Sequence, residues 1–136
     1  MAHRRPAKSS VPADKTCVSC GRRIEWRAKW RGDWGQVHYC SAACRRRGVT
    51  AADHDLEERI LAMLSDRAAG ATVCASEVAR AAAAAAPGEA HGWESLLEPV
   101  RRAARRLVDR GDAVIVQGGT VVDPSTAKGA IGIRRP

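Results

Sequence analysis

No stretch of this 136-residue chain is apolar for long enough to span a bilayer, and no apolar run near its start has the form of a signal peptide. Both absences point to a cytoplasmic protein. There is also no Ser/His/Asp constellation, no glycine loop of the kind that cradles phosphate, and no open metal site, so an enzyme is not expected. No clear dimerisation helix is visible. Phenylalanine is missing altogether, while Ala and Arg dominate. That bias has the look of coding-DNA composition and carries no functional content. The length allows one ordinary domain, or a metal module plus a small domain.

What is present is a set of four cysteines near the N-terminus. Cys17, Cys20, Cys40 and Cys44 read C-x2-C-x19-C-x3-C. A thiolate pair two residues apart wraps one face of a tetrahedral metal. A pair spaced i and i+4 does the same from the first turn of a helix. The pattern predicts one structural Zn2+ with a closed four-sulfur shell that leaves no position for substrate. The alternatives are four unrelated thiols or two disulfides. His38, two residues before Cys40, is a less favoured ligand. The fifth cysteine, Cys74, is left over, which fits a reducing compartment. It reads as a small buried apolar group.

Charge is distributed unevenly. The chain carries 23 Lys/Arg against 15 Asp/Glu, a formal +8. Residues 1–50 hold 12 basic and 3 acidic residues, a balance of +9, and residues 51–136 hold 11 and 12, a balance of −1. Part of the basic half offsets an anionic thiolate centre. The remainder is a cationic surface, for which a phosphate backbone is the usual partner and a plain solvated face the bland alternative.

Four regions follow. Residues 1–15 read as a disordered basic tail and residues 16–48 as the zinc module. Residues 49–54 read as a linker and residues 55–136 as a second domain. Inside the module, residues 24–39 suggest a short hairpin about Arg31-Gly32-Asp33, returning to Cys40. Ser41 caps a short helix that Gly48 ends. Knuckle, hairpin and helix in this order make a treble-clef arrangement. Trp26, Trp30 and Trp34 alternate with basic residues, a mixture that stacks bases and holds phosphates. Covering the metal site is the favoured role for most of these rings.

In the second domain, Asp55 and Glu58 suggest a capped helix carrying Leu56, Ile60, Met63 and Leu64. A short extended piece ends at Cys74. Ser76 then caps an alanine-rich helix that Pro87-Gly88 stops. A third helix from about Ser95 to Arg110 places Leu96, Leu97, Val100, Ala103, Ala104, Leu107 and Val108 on one stripe. Pro99 belongs in its first turn. Val114 and Val116 lie in a strand, a Gly118-Gly119 turn follows, and Ala130 to Arg134 forms the last strand. The fold class is α+β: a small zinc-bound module followed by a winged helix of three helices and a β wing. Its core is expected to be separate from that of the module. In a winged helix the third helix enters the major groove. Arg101, Arg102, Arg105 and Arg106 would then face solvent as nucleic-acid contacts, with Arg45, Arg46 and Arg47 extending the surface.

The stretch from Lys15 to Arg47, with C-x2-C-G-R, K-W and Y-C-S-x2-C-R, resembles a bacterial family of unknown function built on a four-cysteine module. The stretch from Leu56 to Arg135, with S-E-V-A-R-A, V-R-R-A-A-R-R-L and a closing G-x-I-x-I-R segment, resembles a second such family with a winged-helix-like domain. The resemblances imply architecture far more than activity. Together these features predict a zinc-stabilised, regulatory nucleic-acid-binding protein, with DNA favoured over RNA. A protein–protein adaptor is the alternative. No membrane and no small-molecule substrate are inferred.

Overall fold

The computed structural model describes residues 11–86 and 92–136. Most of the expected tail and the Pro87-Gly88 helix stop lie outside the described residues. Within them the protein is mixed α/β, with four α-helices and two small sheets.

In the N-terminal half, β1 (Lys15–Thr16) and β2 (Arg23–Ile24) pair antiparallel, with Lys15 opposite Ile24. The Cys17–Cys20 knuckle is the turn between them. Cys17 N–H donates to Arg22 O at 2.8 Å and Gly21 N–H to Cys17 O at 3.0 Å. The expected strand hairpin across residues 24–39 does not form. Two single 3-10 turns, Ala28–Trp30 and Trp34–Gln36, stand there instead. The reason lies in the spacing. The tryptophans recur every fourth residue, whereas a strand presents every second residue to one face. Local bonds such as Trp30 N–H to Arg27 O (2.9 Å) and Val37 N–H to Trp34 O (3.0 Å) satisfy the backbone without a ladder.

Helix α1 (Ala42–Arg47) has the expected caps. Ser41 Oγ accepts from Cys44 N–H at 3.1 Å, and Gly48 stops the helix at φ +58°. Helix α2 (Ala51–Ser65) begins four residues before the expected cap at Asp55. Thr50 caps it through a box: Asp53 N–H donates to Thr50 Oγ1 at 3.2 Å, and Thr50 N–H donates to Asp53 Oδ2 at 2.8 Å. Most of the segment read as a linker is therefore helical.

The rest of the chain runs β3 (Thr72–Cys74), α3 (Ala75–Ala85), a 3-10 turn (Trp93–Leu96), α4 (Leu97–Asp109), β4 (Val114–Gln117), β5 (Thr120–Val121) and β6 (Gly132–Arg134). Helix α3 starts one residue before the expected Ser76 cap, and the Glu77 carboxylate accepts from Cys74 N–H at 2.9 Å. The sheet order is β3-β6-β4-β5, with every neighbour antiparallel. Ile133 pairs with Val73 on one side and with Ile115 on the other. These three side chains meet Ile60, Val78, Val100 and Leu107 from the helices in one buried cluster.

The helical phases were legible: Leu56, Leu64, Val100, Ala103, Ala104 and Leu107 are buried, while Met63, Leu96, Leu97 and Val108 pack against the cluster. The strand phase was not. Val114 and Val116 were expected in the core; Ile115 enters the helix-packed cluster instead, and alternation puts Val114 and Val116 on the other sheet face, where Val116 is also buried. Val114-Ile115-Val116 is continuously apolar, so its pattern names no inward residue. The same alternation buries Val73 and leaves Cys74 exposed, contrary to its reading as a buried group.

Candidate metal centre and its junction with helix α4

The knuckle brings Cys17 and Cys20 to the end of β1, and the first turn of α1 brings Cys44 beside Cys40. The four Sγ atoms lie within 4.8 Å of one another. Cys20 Sγ is 3.7 Å from Cys40 Sγ, which is 3.6 Å from Cys44 Sγ. Tetrahedral Zn–S bonds of about 2.3 Å demand sulfur–sulfur edges of about 3.8 Å. A disulfide would require about 2.05 Å. The cluster therefore fits a zinc module and can hold one metal ion in an all-sulfur shell. His38 is outside this group; its carbonyl accepts from Val18 N–H at 3.0 Å and ties the knuckle to the segment entering Cys40.

Electrostatics around the sulfurs are uneven. Burial, reinforced by neighbouring Cys17, pushes the Cys20 thiol up to about 12. Burial also raises Cys40. Cys44 is brought down to about 7, because bonds from Ser41 and the other cysteines outweigh its own burial. Arg47 adds a cation, with Nη1 3.4 Å from Cys44 Sγ. A bound cation would be the dominant local charge and hold all four as thiolates.

Trp30 and Trp34 pack against the cysteine cluster, together with Val37 and Tyr39. Their rings are 5.5 Å apart, and Lys15 sits 4.7 Å from the Trp34 centroid. Lys15 Nζ also donates to the carbonyls of Trp34 and Val37. The indoles thus roof a module that has almost no other core.

Helix α4 does not present four arginines to solvent. Arg105 and Arg106 are buried, at 4% and 7% exposure. The expectation of free, unpaired side chains fails for both, because the cysteine knuckle packs on that face of the helix. Arg105 Nε donates to Cys20 O at 2.5 Å and its Nη2 to Glu98 Oε2 at 2.8 Å. Arg106 Nη1 donates to Ser19 O at 2.7 Å, Nε to Glu57 Oε2 at 2.5 Å and Nη2 to Asp53 O at 3.2 Å. Glu57, also buried, receives Arg110 Nη1 on its other oxygen at 2.7 Å. Burial alone would raise the Glu57 carboxyl, but Arg106 and Arg110 hold it below the usual range. The knuckle can approach this closely because residue 21 is glycine. A Cβ there would overlap Arg105 Cβ and lie 2.8 Å from its carbonyl carbon. Its φ of +77° favours glycine as well. A second tie is made by Arg23, whose Nη1 meets Asp123 Oδ2 at 2.9 Å and whose N–H donates to Ser125 Oγ at 3.0 Å.

The other two α4 arginines are half-buried. Arg101 donates through Nη2 to Gly129 O at 3.3 Å, and Arg102 Nε is buried without a partner among the described residues. Burial and the charge of Arg47 hold the Arg102 pKa below the usual arginine value. Arg45, Arg46 and Arg47 stand at the end of α1, and all three are exposed.

Residues 53–136 match the family described as "Protein of unknown function (DUF3253)". The chain belongs to that family. Residues 7–47 match a second one, "Uncharacterized protein conserved in bacteria (DUF2256)", which spans all four cysteines and the α1 arginines. The junction between knuckle and α4 thus joins a DUF3253 domain to a DUF2256 module within one chain. No curated protein matches the chain.

Proposed function

We propose that the protein is a cytoplasmic, non-catalytic nucleic-acid-binding protein, with DNA favoured over RNA, stabilised by one structural Zn2+ on Cys17, Cys20, Cys40 and Cys44. Phosphate contact is made mainly by the zinc module. The observation that carries this reading is the row Arg45, Arg46 and Arg47. The three follow one another on one helical turn, and none pairs with a carboxylate among the described residues. They stand on the half of the chain with the +9 balance. Arg102 lies on the same side, close enough to feel the Arg47 charge. Four sulfur donors at these spacings favour zinc over harder cations.

The order knuckle, 3-10 turns and helix supports a treble-clef reading of the module. The order α2, β3, α3, α4, β4, β5, β6, with β6 between β3 and β4, supports a winged helix. In that reading α4 is the helix that would enter the major groove. Its Arg105 and Arg106 are occupied inside the protein, so they leave the contact surface. Their burial, with the −1 balance of the C-terminal half, favours a second reading in which this domain docks on another protein.

The test is fluorescence anisotropy with labelled duplex DNA and the matching RNA at two salt concentrations. The proposal expects DNA binding that weakens steeply with salt. In Arg45→Glu/Arg46→Glu the slope should fall by about one for each phosphate that is no longer neutralised. Tighter RNA binding would reverse the polymer. Absence of binding at low salt, or an unchanged slope in the double variant, would overturn the surface and leave the docking reading.

A further inference from the structure

A cavity of about 460 Å³ lies where the first turn of α3, the start of α4 and the β4–β5 turn converge. Small-molecule sites commonly occupy about 300–1,000 Å³. Trp93, Leu97, Val116 and Ile131 give it apolar walls. Among the described residues, its lining contains no Asp or Glu, and its single charged group is Arg101.

Arg101 differs from the buried arginines four and five positions later on the same helix. Arg105 and Arg106 spend their donors on carbonyls and carboxylates. Among the described residues Arg101 makes one bond, the 3.3 Å contact of Nη2 with Gly129 O, and its Nε has no acceptor. The single long bond leaves terminal guanidinium donors of Arg101 unspent at the cavity wall, and a charged donor gains most from a charged acceptor. Among the described residues no carboxylate lines the cavity, so an acceptor of opposite charge would be one brought by a ligand.

We propose that this cavity binds a small organic monoanion: a carboxylate attached to a flat apolar body. The planar guanidinium of Arg101 matches a planar carboxylate through paired N–H···O bonds. A single cation balances a single negative charge, whereas a phosphate dianion would leave a charge uncompensated among apolar walls. The body lies against Trp93 and Leu97. Trp93 is braced by the Arg80 guanidinium, 4.3 Å from its ring centroid. The site is independent of nucleic-acid binding and uses none of the α1 arginines.

The experiment titrates the full-length, zinc-loaded chain with benzoate, following backbone amides and tryptophan indoles by NMR. Benzamide, acetate and inorganic phosphate serve as comparison probes. Saturable benzoate shifts are expected at Trp93, Leu97, Gly118 and Gly119, at concentrations up to about 10 mM. Benzamide lacks the charge and acetate lacks the body, so both should bind more weakly by about tenfold or more. Arg101→Gln should weaken benzoate by a similar factor. Arg101→Lys, which keeps the charge but not the fork, should fall between. Spectra of the free variants establish that they are folded. No saturable shift, equal binding of benzamide, equal or tighter binding of phosphate, or unchanged affinity in folded Arg101→Gln would each overturn the proposal.

Discussion

Among the described residues, the cysteine module packs four buried apolar side chains together, three of them cysteines, whereas the C-terminal domain packs fifteen into one cluster around Ile60, Leu107, Ile115 and Ile133. The first gains little from hydrophobic burial, so a metal held by its sulfurs would be its main source of stability. The second can hold its shape by hydrophobic burial. The two apolar clusters are separate, but the regions between them are not. Arg105 and Arg106 reach from the self-sufficient half into the dependent one and bond to Ser19 O and Cys20 O. A domain with an adequate core has therefore placed two of its own cations where the knuckle supplies one carbonyl acceptor to each, beside the domain's own Glu98, Glu57 and Asp53 O.

Metal removal should break the comparison most sharply. Structural zinc contributes about 10–16 kcal/mol in zinc-finger peptides, so a chelator or Cys40→Ser should unfold residues 16–47. The C-terminal domain should remain folded but melt at lower temperature, because Arg105 loses the Cys20 carbonyl and Arg106 the Ser19 carbonyl. Circular dichroism melts with and without metal measure this. An unchanged helix midpoint would mean that the two halves are energetically independent.

Next in size is Glu57→Ala. It leaves Arg106 buried beside nothing of opposite charge, and breaking such a pair from one side costs about 3–5 kcal/mol. Leu107→Ala tests the apolar half alone, and truncation of a buried leucine costs about 2–5 kcal/mol. Urea titrations compare the two. If Glu57→Ala proves nearly neutral, the polar junction is incidental, and the apolar cluster alone carries the domain.

The smallest effect is acid-dependent. Arg67 and the Cys74 N–H hold the Glu77 carboxyl at about 2. A carboxyl lowered on folding stabilises the native state above its unfolded pKa of about 4.3 and ceases to do so as pH falls toward its folded value. Glu57 acts in the same direction. The stability gap between the wild type and Glu77→Gln should therefore close between about pH 5 and pH 2. The gap amounts to about 1 kcal/mol or less, since Glu77 is partly exposed and screened. A gap that stays constant over that range would remove the Arg67 pair from the account.

Local patterns were readable where one residue's role depends on near neighbours in sequence. Ser41 caps α1, Gly48 ends it, and the α4 stripe finds its buried face at Val100, Ala103, Ala104 and Leu107. The Thr50-x-x-Asp53 box was equally local and would have placed the start of α2 correctly, but Asp55 offered a competing cap. Ile115 was hidden because three apolar residues in a row carry no period. Nothing in the order of residues announced that the α4 arginines would meet carbonyls more than eighty positions away.

By itself, the sequence determined the cysteine spacing, the charge difference between the halves and the apolar face of α4. Each follows from composition or from the fixed geometry of a knuckle or a helical turn. Tertiary structure decided what the four arginines of α4 do. A periodicity divides a helix into an apolar and a polar side, but it does not say what covers the polar side. Here the bare Cα of Gly21 lets the cysteine knuckle close on Arg105 and Arg106, while Arg101 and Arg102 stay outside that contact. Burial of a charge depends on acceptors supplied by another part of the chain, and their positions exist only after folding.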